Sequence, residues 1–385
     1  MKGTKRIQPL RFRYYFLPVL LLGLTGLVDS IYLAYSHYRV YTDISYKSFC
    51  AISKAINCDT VSQSPYAIFL HIPVPVWGVI GYLFLVILIL FAGFDRSRDK
   101  SGWTLLMVIS GAYSVYSIIL ALISNYLIHS YCIMCIVSYA INFALLFYCW
   151  LIRRRFSVER FWRGLWSDFV FFAAIPRHQL VLGVFGTGVI LVVLFFPEYW
   201  QLEAGHLNTD LPHGMTVDGH PWIGAENPAL TIVEYTDYLC FQCRKMHYYL
   251  RELVEAHPDK IRLVHRHFPL DNKVNPIAQD SFHVGSGKLA LLAIFAAQKG
   301  EFWQMNDVLF TIPRGSLPLI EVAERTGLDA RELAWALQTQ WPKALLANDI
   351  SDGLQLGLTA TPSYVIDGQV YVGVIPPQII HSVIK

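Results

Sequence analysis

The sequence predicts a membrane-embedded, all-α bundle followed by an α/β domain that lies in water. Of 385 residues, 54% are hydrophobic and 15% are charged, and long apolar runs fill the first half while strand and helix patterns alternate in the second. Residues 1–197 carry 17 Lys/Arg against 7 Asp/Glu, and residues 198–385 carry 14 against 21. The resulting charges of +10 and −7 exclude a basic nucleic-acid-binding module, because the soluble half is acidic.

Five apolar runs are candidates for membrane-spanning helices, since about 20 helical residues cross the hydrocarbon core. The runs are 14–35, 74–94, 103–128, 131–152 and 180–196. We expect the first four to form a four-helix bundle and the last, which is short, to be a fifth span. The first run contains Asp29. An acid inside a span indicates a functional position, with solvation at the membrane surface as the alternative.

The basic residues predict which side of the membrane each loop faces. Lys and Arg near span ends favour the cytoplasmic side, and they concentrate in the N-terminal tail and in the 95–101 and 153–179 segments. We therefore expect an inner-membrane protein with a cytoplasmic N-terminus and a periplasmic C-terminal domain. The predicted organisation is a bundle domain over 1–155, an amphipathic connector, fifth span and hinge over 156–219, and a soluble domain over 220–385.

Six of the seven cysteines form three pairs on that predicted outer side. They are Cys50 with Cys58, Cys132 with Cys135, and Cys240 with Cys243. Disulfides persist in an oxidising compartment, and the C-x-x-C spacing of the last two pairs allows a reversible disulfide beside a helix terminus. A zinc site needs four converging ligands, which we do not expect with one motif at a membrane helix. A structural disulfide is the alternative for the first pair, and we expect Cys149 to be a small buried hydrophobe.

The segment that ends in Asp-Tyr-Leu-Cys-Phe-Gln-Cys predicts a strand, a turn and a helix capped by Cys240. The positive helix end and its free N–H groups stabilise a thiolate, so Cys240 is the predicted nucleophile and Cys243 the resolving thiol. A structural or metal-binding pair is the alternative. Further on, a Thr-Pro step at Pro362 leads into a strand and an Asp-Gly hairpin. This ending suits a cis peptide bond packed against the redox motif.

Residues 220–385 resemble the DsbA-type thioredoxin-fold oxidases in these motifs. The resemblance implies an α/β thioredoxin fold with a helical insertion, an active pair at Cys240 and Cys243, and a cis-proline at Pro362 that positions substrate peptides. The implied partners are reduced secreted or periplasmic proteins. The chain differs in having Phe-Gln between the two cysteines, where Pro-His would help to explain strong oxidising power.

The membrane half, about residues 14–152, resembles the vitamin K epoxide reductase family in its bacterial form fused to a thioredoxin-like domain. The resemblance rests on the two loop cysteines, on Ser64-Pro-Tyr-Ala leading into Pro-Val-Pro, and on Cys-Ile-Met-Cys opening a helix that continues through Tyr139 and Asn142. The two thiols, the phenol and the amide are spaced to share one helical face.

This second resemblance implies a membrane quinone, either ubiquinone or menaquinone, as the diffusible electron acceptor. It also implies that Cys135 faces the quinone ring and that Cys132 exchanges with the loop. Ser64, Tyr139 and Asn142 are the predicted quinone contacts. Packing or interface anchoring is the alternative for the first two, and an interhelical hydrogen bond is the alternative for the amide.

The predicted function is a quinone-dependent thiol-disulfide oxidoreductase that forms disulfide bonds in secreted proteins. Electrons would pass from substrate thiols to the soluble pair, then to the loop pair, the membrane-helix pair and the quinone pool, through mixed disulfides. We expect Cys50 to meet the soluble domain and Cys58 to attack toward Cys132. No metal and no nucleic-acid partner is expected. A vitamin-K-epoxide-type or quinone-type small-molecule reductase and a disulfide reductase or isomerase are the alternatives.

Overall fold

The computed structural model describes residues 11–52, 55–93, 101–156, 160–201, 211–278, 283–312 and 317–384. The chain folds as two compact units, Met1–Gln201 and Leu202–Lys385. The hinge predicted near 197–220 includes residues 202–210, which lie outside the described residues. The domain boundaries predicted at residues 155 and 219 stay predictions.

The first unit is mainly helical, and among its described residues five helices are long and apolar enough to cross a membrane. Its helices are α1 (Arg13–Thr42), α2 (Cys58–Ser62), α3 (Val74–Gly93), α4 (Trp103–Ile123), α5 (Ile133–Phe156), α6 (Phe161–Ala174) and α7 (Pro176–Phe195). A 3-10 turn (Pro65–Ala67), the short strands β1 (Ile68–Phe69) and β2 (Ile72–Pro73) and a π-helical turn (Ser124–Ile128) complete it. The five candidate spans α1, α3, α4, α5 and α7 agree with the predicted fold class.

Helices α1, α3, α4 and α5 pack as the predicted four-helix bundle around a continuous buried apolar core. Lipid tails are as apolar as these side chains, so close packing and interhelical hydrogen bonds hold such a bundle together. Asn142 of α5 supplies two of these bonds. Its Oδ1 accepts the Tyr82 hydroxyl of α3 at 2.7 Å, and its Nδ2 donates to Ser117 Oγ of α4 at 2.9 Å.

Helix α6 forms part of the connector predicted over 156–179 and is amphipathic. On its inner face, the Asp168 carboxylate accepts three backbone N–H bonds at the start of α4, with N–O distances of 2.6, 2.7 and 3.0 Å. These N–H groups have no partner inside their own helix, and a carboxylate at a helix N-terminus is stabilising. Trp162, Trp166 and Phe169 lie on the exposed side of α6.

The second unit contains a six-stranded sheet in the order β3-β4-β6-β5-β7-β8. Its strands are β3 (His213–Met215), β4 (Pro221–Gly224), β5 (Leu230–Thr236), β6 (Ile261–His267), β7 (Ser363–Ile366) and β8 (Gln369–Val372). Its helices are α8 (Phe241–Ala256), α9 (Ser286–Gln298), α10 (Phe302–Leu309), α11 (Leu319–Thr326), α12 (Ala330–Ala336), α13 (Gln340–Gln355) and α14 (Pro377–Ile384). Strands β5 and β6 are parallel and the other pairs antiparallel. This is a thioredoxin fold, with the predicted helical insertion between β6 and β7.

Two local features of this unit agree with the sequence. The turn between β7 and β8 has left-handed φ angles of 49° at Asp367 and 77° at Gly368. A two-residue hairpin turn with both central residues in this region matches the twist of the paired strands, which is why Asp-Gly is favoured there. The peptide bond between Thr361 and Pro362 is cis, as expected.

Candidate active site

The start of α8 carries the soluble cysteine pair. Cys240 is the N-cap residue, and its Sγ accepts a hydrogen bond from the Cys243 N–H at 3.3 Å. Its thiol also lies 3.5 Å from the carbonyl oxygen of Thr361, in the peptide before Pro362. Cys240 is 9% exposed and Cys243 is 0% exposed. Cys240 is therefore the less buried cysteine of the pair.

The electrostatics of this pair separate its two thiols. The pKa of Cys240 is lowered from 9.0 to about 7, first by the hydrogen bond from the Cys243 thiol and then by the charge of His283, while burial and Asp237 oppose the shift. Burial raises the pKa of Cys243 well above its usual value. Because the thiolate is the nucleophile, the arrangement supports Cys240 as the attacking sulfur and Cys243 as the resolving one.

Asp237 and His283 are two residues near this pair that the sequence did not single out. Asp237 Oδ2 lies 2.8 Å from His283 Nδ1 and accepts hydrogen bonds from the Leu270 N–H at 2.6 Å and the Ser286 hydroxyl at 3.1 Å. Both side chains are buried. The position of Asp237, three residues before Cys240, could have pointed to it in the sequence. No spacing rule links His283 to the cysteine motif.

A buried acid, Glu234, lies at the centre of the sheet. Its Oε1 is 2.8 Å from His265 Nδ1 on β6, and Tyr364 faces it from β7. Burial raises the pKa of Glu234 to about 7 and lowers the pKa of His265 and of His267 to about 3. Among the described residues, Glu234 Oε2 and the Tyr364 hydroxyl have no hydrogen-bond partner. The two histidines are therefore neutral at neutral pH, whereas the protonated and ionised forms of Glu234 are about equally populated.

The loop between α1 and α3 holds Cys50 and Cys58, which are joined by a disulfide with Cα atoms 5.7 Å apart. Cys58 begins α2, and the side chain of the N-cap residue Asn57 accepts two backbone N–H bonds of that helix. The helix is short, so the disulfide and the cap together hold the second loop cysteine in place.

Backbone hydrogen bonds dock this loop on the segment that precedes α5. The Tyr131 N–H donates to the Ala55 carbonyl at 2.8 Å, and the Asn57 N–H donates to the Tyr131 carbonyl at 3.0 Å. Both loop cysteines and Cys132 consequently lie together in one buried group. We call Cys50, Cys58 and Cys132 the buried cysteine cluster.

The membrane-helix pair repeats the geometry of the soluble pair. Cys132 precedes α5, and its Sγ accepts a hydrogen bond from the Cys135 N–H at 3.2 Å. Cys132 is 3% exposed, whereas Cys135 is only partly buried. The Tyr139 phenol, one turn further along α5, lies near the two sulfurs.

The three predicted quinone contacts have different surroundings. Tyr139 is adjacent to Cys135. The Ser64 hydroxyl donates to the Val61 carbonyl at 2.8 Å, within its own loop. Asn142 uses both ends of its amide in the interhelical bonds of the bundle. Contact with a quinone stays a prediction for all three.

An open apolar groove of about 480 Å³ lies on the bundle surface, lined by residues such as Met107, Phe143 and Trp150. Phe143 follows Cys135 by eight residues, which places it about 12 Å further along α5. The groove therefore does not reach the dithiol, and we do not assign it to the redox site.

The fold and the site together have the arrangement that thiol-disulfide exchange requires, in a chain with five candidate membrane spans among its described residues. Two C-x-x-C motifs begin helices with their first sulfur as an N–H acceptor, and a loop disulfide packs against one of them. Within the described ranges, no three His, Cys, Asp or Glu side chains are grouped to hold a metal ion.

Family profiles match both halves of the chain. The vitamin K epoxide reductase family matches residues 17–150, and a thioredoxin family matches residues 216–385. The chain therefore combines a region similar to the vitamin K epoxide reductase family with a region similar to a thioredoxin family. The resemblances inferred from the cysteine motifs are confirmed.

Individual relatives cover parts of the chain. A thioredoxin-like oxidoreductase from Silicibacter pomeroyi is 25% identical, with a TM-score of 0.36 over 42% of this chain and 88% of its own. Oxidised BdbD from Bacillus subtilis is 18% identical, with a TM-score of 0.33 over 42% and 90%. The Na(+)/H(+) antiporter NhaA 3 of Salinispora tropica is 30% identical over 148 residues, which are 38% of this chain and 21% of the antiporter. The chain spans about a fifth of the length of such curated relatives.

Proposed function

We propose that the protein is a quinone-dependent thiol oxidase that forms disulfide bonds in secreted or periplasmic proteins. The buried cysteine cluster carries the proposal, because a disulfide that can accept electrons packs against the first thiol of a membrane-helix pair. The soluble Cys240, which has a lowered pKa and is the less buried cysteine of its pair, supplies the point of entry for substrate thiols.

Electrons follow the three pairs in order. A substrate dithiol reduces a Cys240–Cys243 disulfide, and the resulting dithiol reduces the Cys50–Cys58 disulfide of the loop. The loop dithiol formed in this way then reduces a Cys132–Cys135 disulfide. At each exchange a thiolate attacks a disulfide and a second thiol resolves the mixed disulfide. One dithiol becomes a disulfide as the next disulfide becomes a dithiol, so two electrons and two protons move together. Closing the last disulfide delivers both electrons and both protons to the acceptor.

A lipid quinone supplies a two-electron acceptor, and the vitamin K epoxide reductase family is associated with quinone electron transfer. The residues next to Cys135 fit such a group. Cys135 is partly exposed, the Tyr139 phenol lies near it, and Asp29 has a buried oxygen without a hydrogen-bond partner in the described part of the chain. Of the predicted contacts, Tyr139 is the best supported, because the protein already occupies the polar groups of Ser64 and Asn142.

The proposed orientation has a cytoplasmic N-terminus and a periplasmic thioredoxin-like domain. This orientation rests on the concentration of Lys and Arg in segments that are expected to face the cytoplasm, and on one contact near the end of the first unit. The Tyr199 hydroxyl lies 2.9 Å from His37 Nδ1, near the end of α1 that leads into the cysteine loop. The chain thus leaves the bundle at the end where its loop cysteines lie.

The decisive experiment mixes the purified full chain with a reduced two-cysteine peptide, with and without a soluble ubiquinone or menaquinone analogue. We expect one peptide disulfide for each quinol formed, with little peptide oxidation when the analogue is omitted. Free thiol and quinol are measured in the same sample.

Cys149→Ala is the matched control, because Cys149 is fully buried next to Ser110 and has no place in the relay. It should retain the activity of the unchanged protein. Peptide oxidation that proceeds equally without quinone would contradict the proposal. Net reduction of a disulfide peptide at the expense of added quinol would instead favour a reductase.

A further inference from the structure

Asp29 is a buried acid in the bundle that the relay of cysteines does not use. It lies on α1 and is 5% exposed. Its Oδ2 accepts a hydrogen bond from the Ser138 hydroxyl of α5. Its Oδ1 is buried and, among the described residues, has no hydrogen-bond partner. A buried carboxyl oxygen without a partner is costly, so its retention inside a span calls for a functional reason.

Two features of the packing bring Asp29 close to the membrane-helix pair. Ser138 follows Cys135 by three residues, so both side chains lie on the same face of α5 about one turn apart. On α1, Leu33 lies one turn after Asp29 and packs against the buried cysteine cluster. The charge of Asp29 accordingly acts on both Cys132 and Cys135.

The other titratable groups near Asp29 are the two cysteines of α5 and the Tyr82 phenol of α3. In the described ranges no cation forms an ion pair with Asp29, since none of the ion pairs found there includes it. A carboxylate that is not held by a cation is free to accept a proton.

We propose that Asp29 is the proton acceptor for the Cys135 thiol when the Cys132–Cys135 disulfide closes. This inference rests on the proposed function. It names Asp29 as the general base for the last step of the relay, the oxidation of the Cys132/Cys135 dithiol. The S–H bond of Cys135 breaks as an O–H bond forms on Asp29, and the Cys135 thiolate then forms the S–S bond with Cys132. Closing the Cys132–Cys135 disulfide releases two electrons and two protons, so the acceptor would take both electrons, the proton held by Asp29 and the proton of the Cys132 thiol.

A quinone-free assay isolates this step. The full chain with Cys50, Cys58, Cys240 and Cys243 changed to Ser is reduced and mixed with dithiodipyridine. Cys132 attacks and releases one thiopyridone. Cys135 then loses its proton, attacks the mixed disulfide and releases the second thiopyridone, so the two phases separate attack from closure.

In Asp29→Asn, we expect an unchanged first release and a second release about 100-fold slower at neutral pH, which is at the lower end of general-base effects. The second rate should rise about tenfold per pH unit, because solvent base then removes the proton. Asp29→Glu keeps the carboxyl group and should restore at least part of the neutral-pH rate.

Two further variants separate proton transfer from packing. Asp43→Asn makes the same change at the end of the same helix, where the carboxylate pairs with Arg39, and should alter neither phase. Ser138→Ala removes the hydrogen bond but keeps the acid, and should slow the second release less than tenfold.

Three results would overturn the inference: an unchanged second release in Asp29→Asn, equal slowing of both phases, or a Ser138→Ala effect as large as that of Asp29→Asn. Because the assay contains neither peptide nor quinone, failure of quinone-dependent peptide oxidation in the unchanged protein would be recognised separately, as failure of the proposed function.

Discussion

The two C-x-x-C motifs share their local geometry but differ in which sulfur is covered. In each, the first cysteine accepts the N–H of the second, at 3.3 Å in the soluble domain and 3.2 Å in the bundle. In the soluble motif Cys240 is 9% exposed and Cys243 0%, whereas in the bundle Cys132 is 3% exposed and Cys135 is only partly buried. The more exposed cysteine is thus the first in one motif and the second in the other.

The neighbours of the first sulfur explain this difference. Cys240 meets the backbone carbonyl of Thr361, whereas Cys132 packs against the loop disulfide. A motif whose first thiol is the less buried of the two is suited to attack other proteins. A motif whose first thiol packs against a disulfide is suited to exchange within its own chain. The same helix start therefore serves two tasks, according to what packs on it.

The largest expected effect tests the second thiol of the bundle motif. Cys135→Ser should abolish quinone reduction, a loss of at least about 1000-fold, because Cys132 alone cannot form the disulfide that releases two electrons. Mixed disulfides upstream should persist and appear on non-reducing gels. Quinol formation in the peptide assay is the measurement, and continued turnover would mean that the two motifs do not divide the work as proposed.

The next effect concerns Glu234, the buried acid on β5, the strand that precedes the soluble cysteine motif. The pKa of Glu234 is raised from 4.5 to about 7 by burial, so its protonated form stabilises the fold below pH 4.5 and this stabilisation is lost as pH rises through about 7. Glu234→Gln should therefore stabilise the domain by about 3 kcal/mol at pH 8 and by little at pH 4. Hydrogen exchange of the β5 amides in the full chain measures the difference.

Glu226→Gln is the control for this change, because Glu226 is exposed just before the same strand and its loss should leave exchange unaltered. An equal gain at both pH values would show that ionisation of Glu234 is not the cause.

The smallest expected effect concerns the pKa of Cys240, the first thiol of the soluble motif. The charge of His283 helps to lower the pKa of Cys240 to about 7. His283→Ala should raise that pKa by less than about one unit, because the hydrogen bond from Cys243 remains. The pH dependence of Cys240 alkylation, followed by mass spectrometry, gives the shift. His257→Ala, at the far end of α8, is the control and should leave the midpoint of Cys240 alkylation unchanged. An unchanged midpoint in His283→Ala would show that His283 does not influence the pKa of Cys240.

The regular elements were largely predictable because their signals are local. The apolar runs predicted five spans, and the structure has five candidate helices in those places. Helix α1 continues to Thr42, past the apolar run at 14–35, because the residues after that run include no Gly or Pro that would end a helix. The start of α8 at the cysteine motif and the Asp-Gly hairpin also follow from short-range rules.

The sequence by itself determined the three cysteine pairs, the spans that carry them and the helix start that each C-x-x-C motif occupies. These follow from spacing, from run length and from helix-end chemistry, all of which act within a few residues. Only the tertiary structure decided that the loop disulfide packs against Cys132, that His283 pairs with Asp237 and that Asp29 accepts a hydrogen bond from Ser138, one turn from Cys135. Each of these contacts joins residues that are distant along the chain, so helix packing and loop docking had to bring them together.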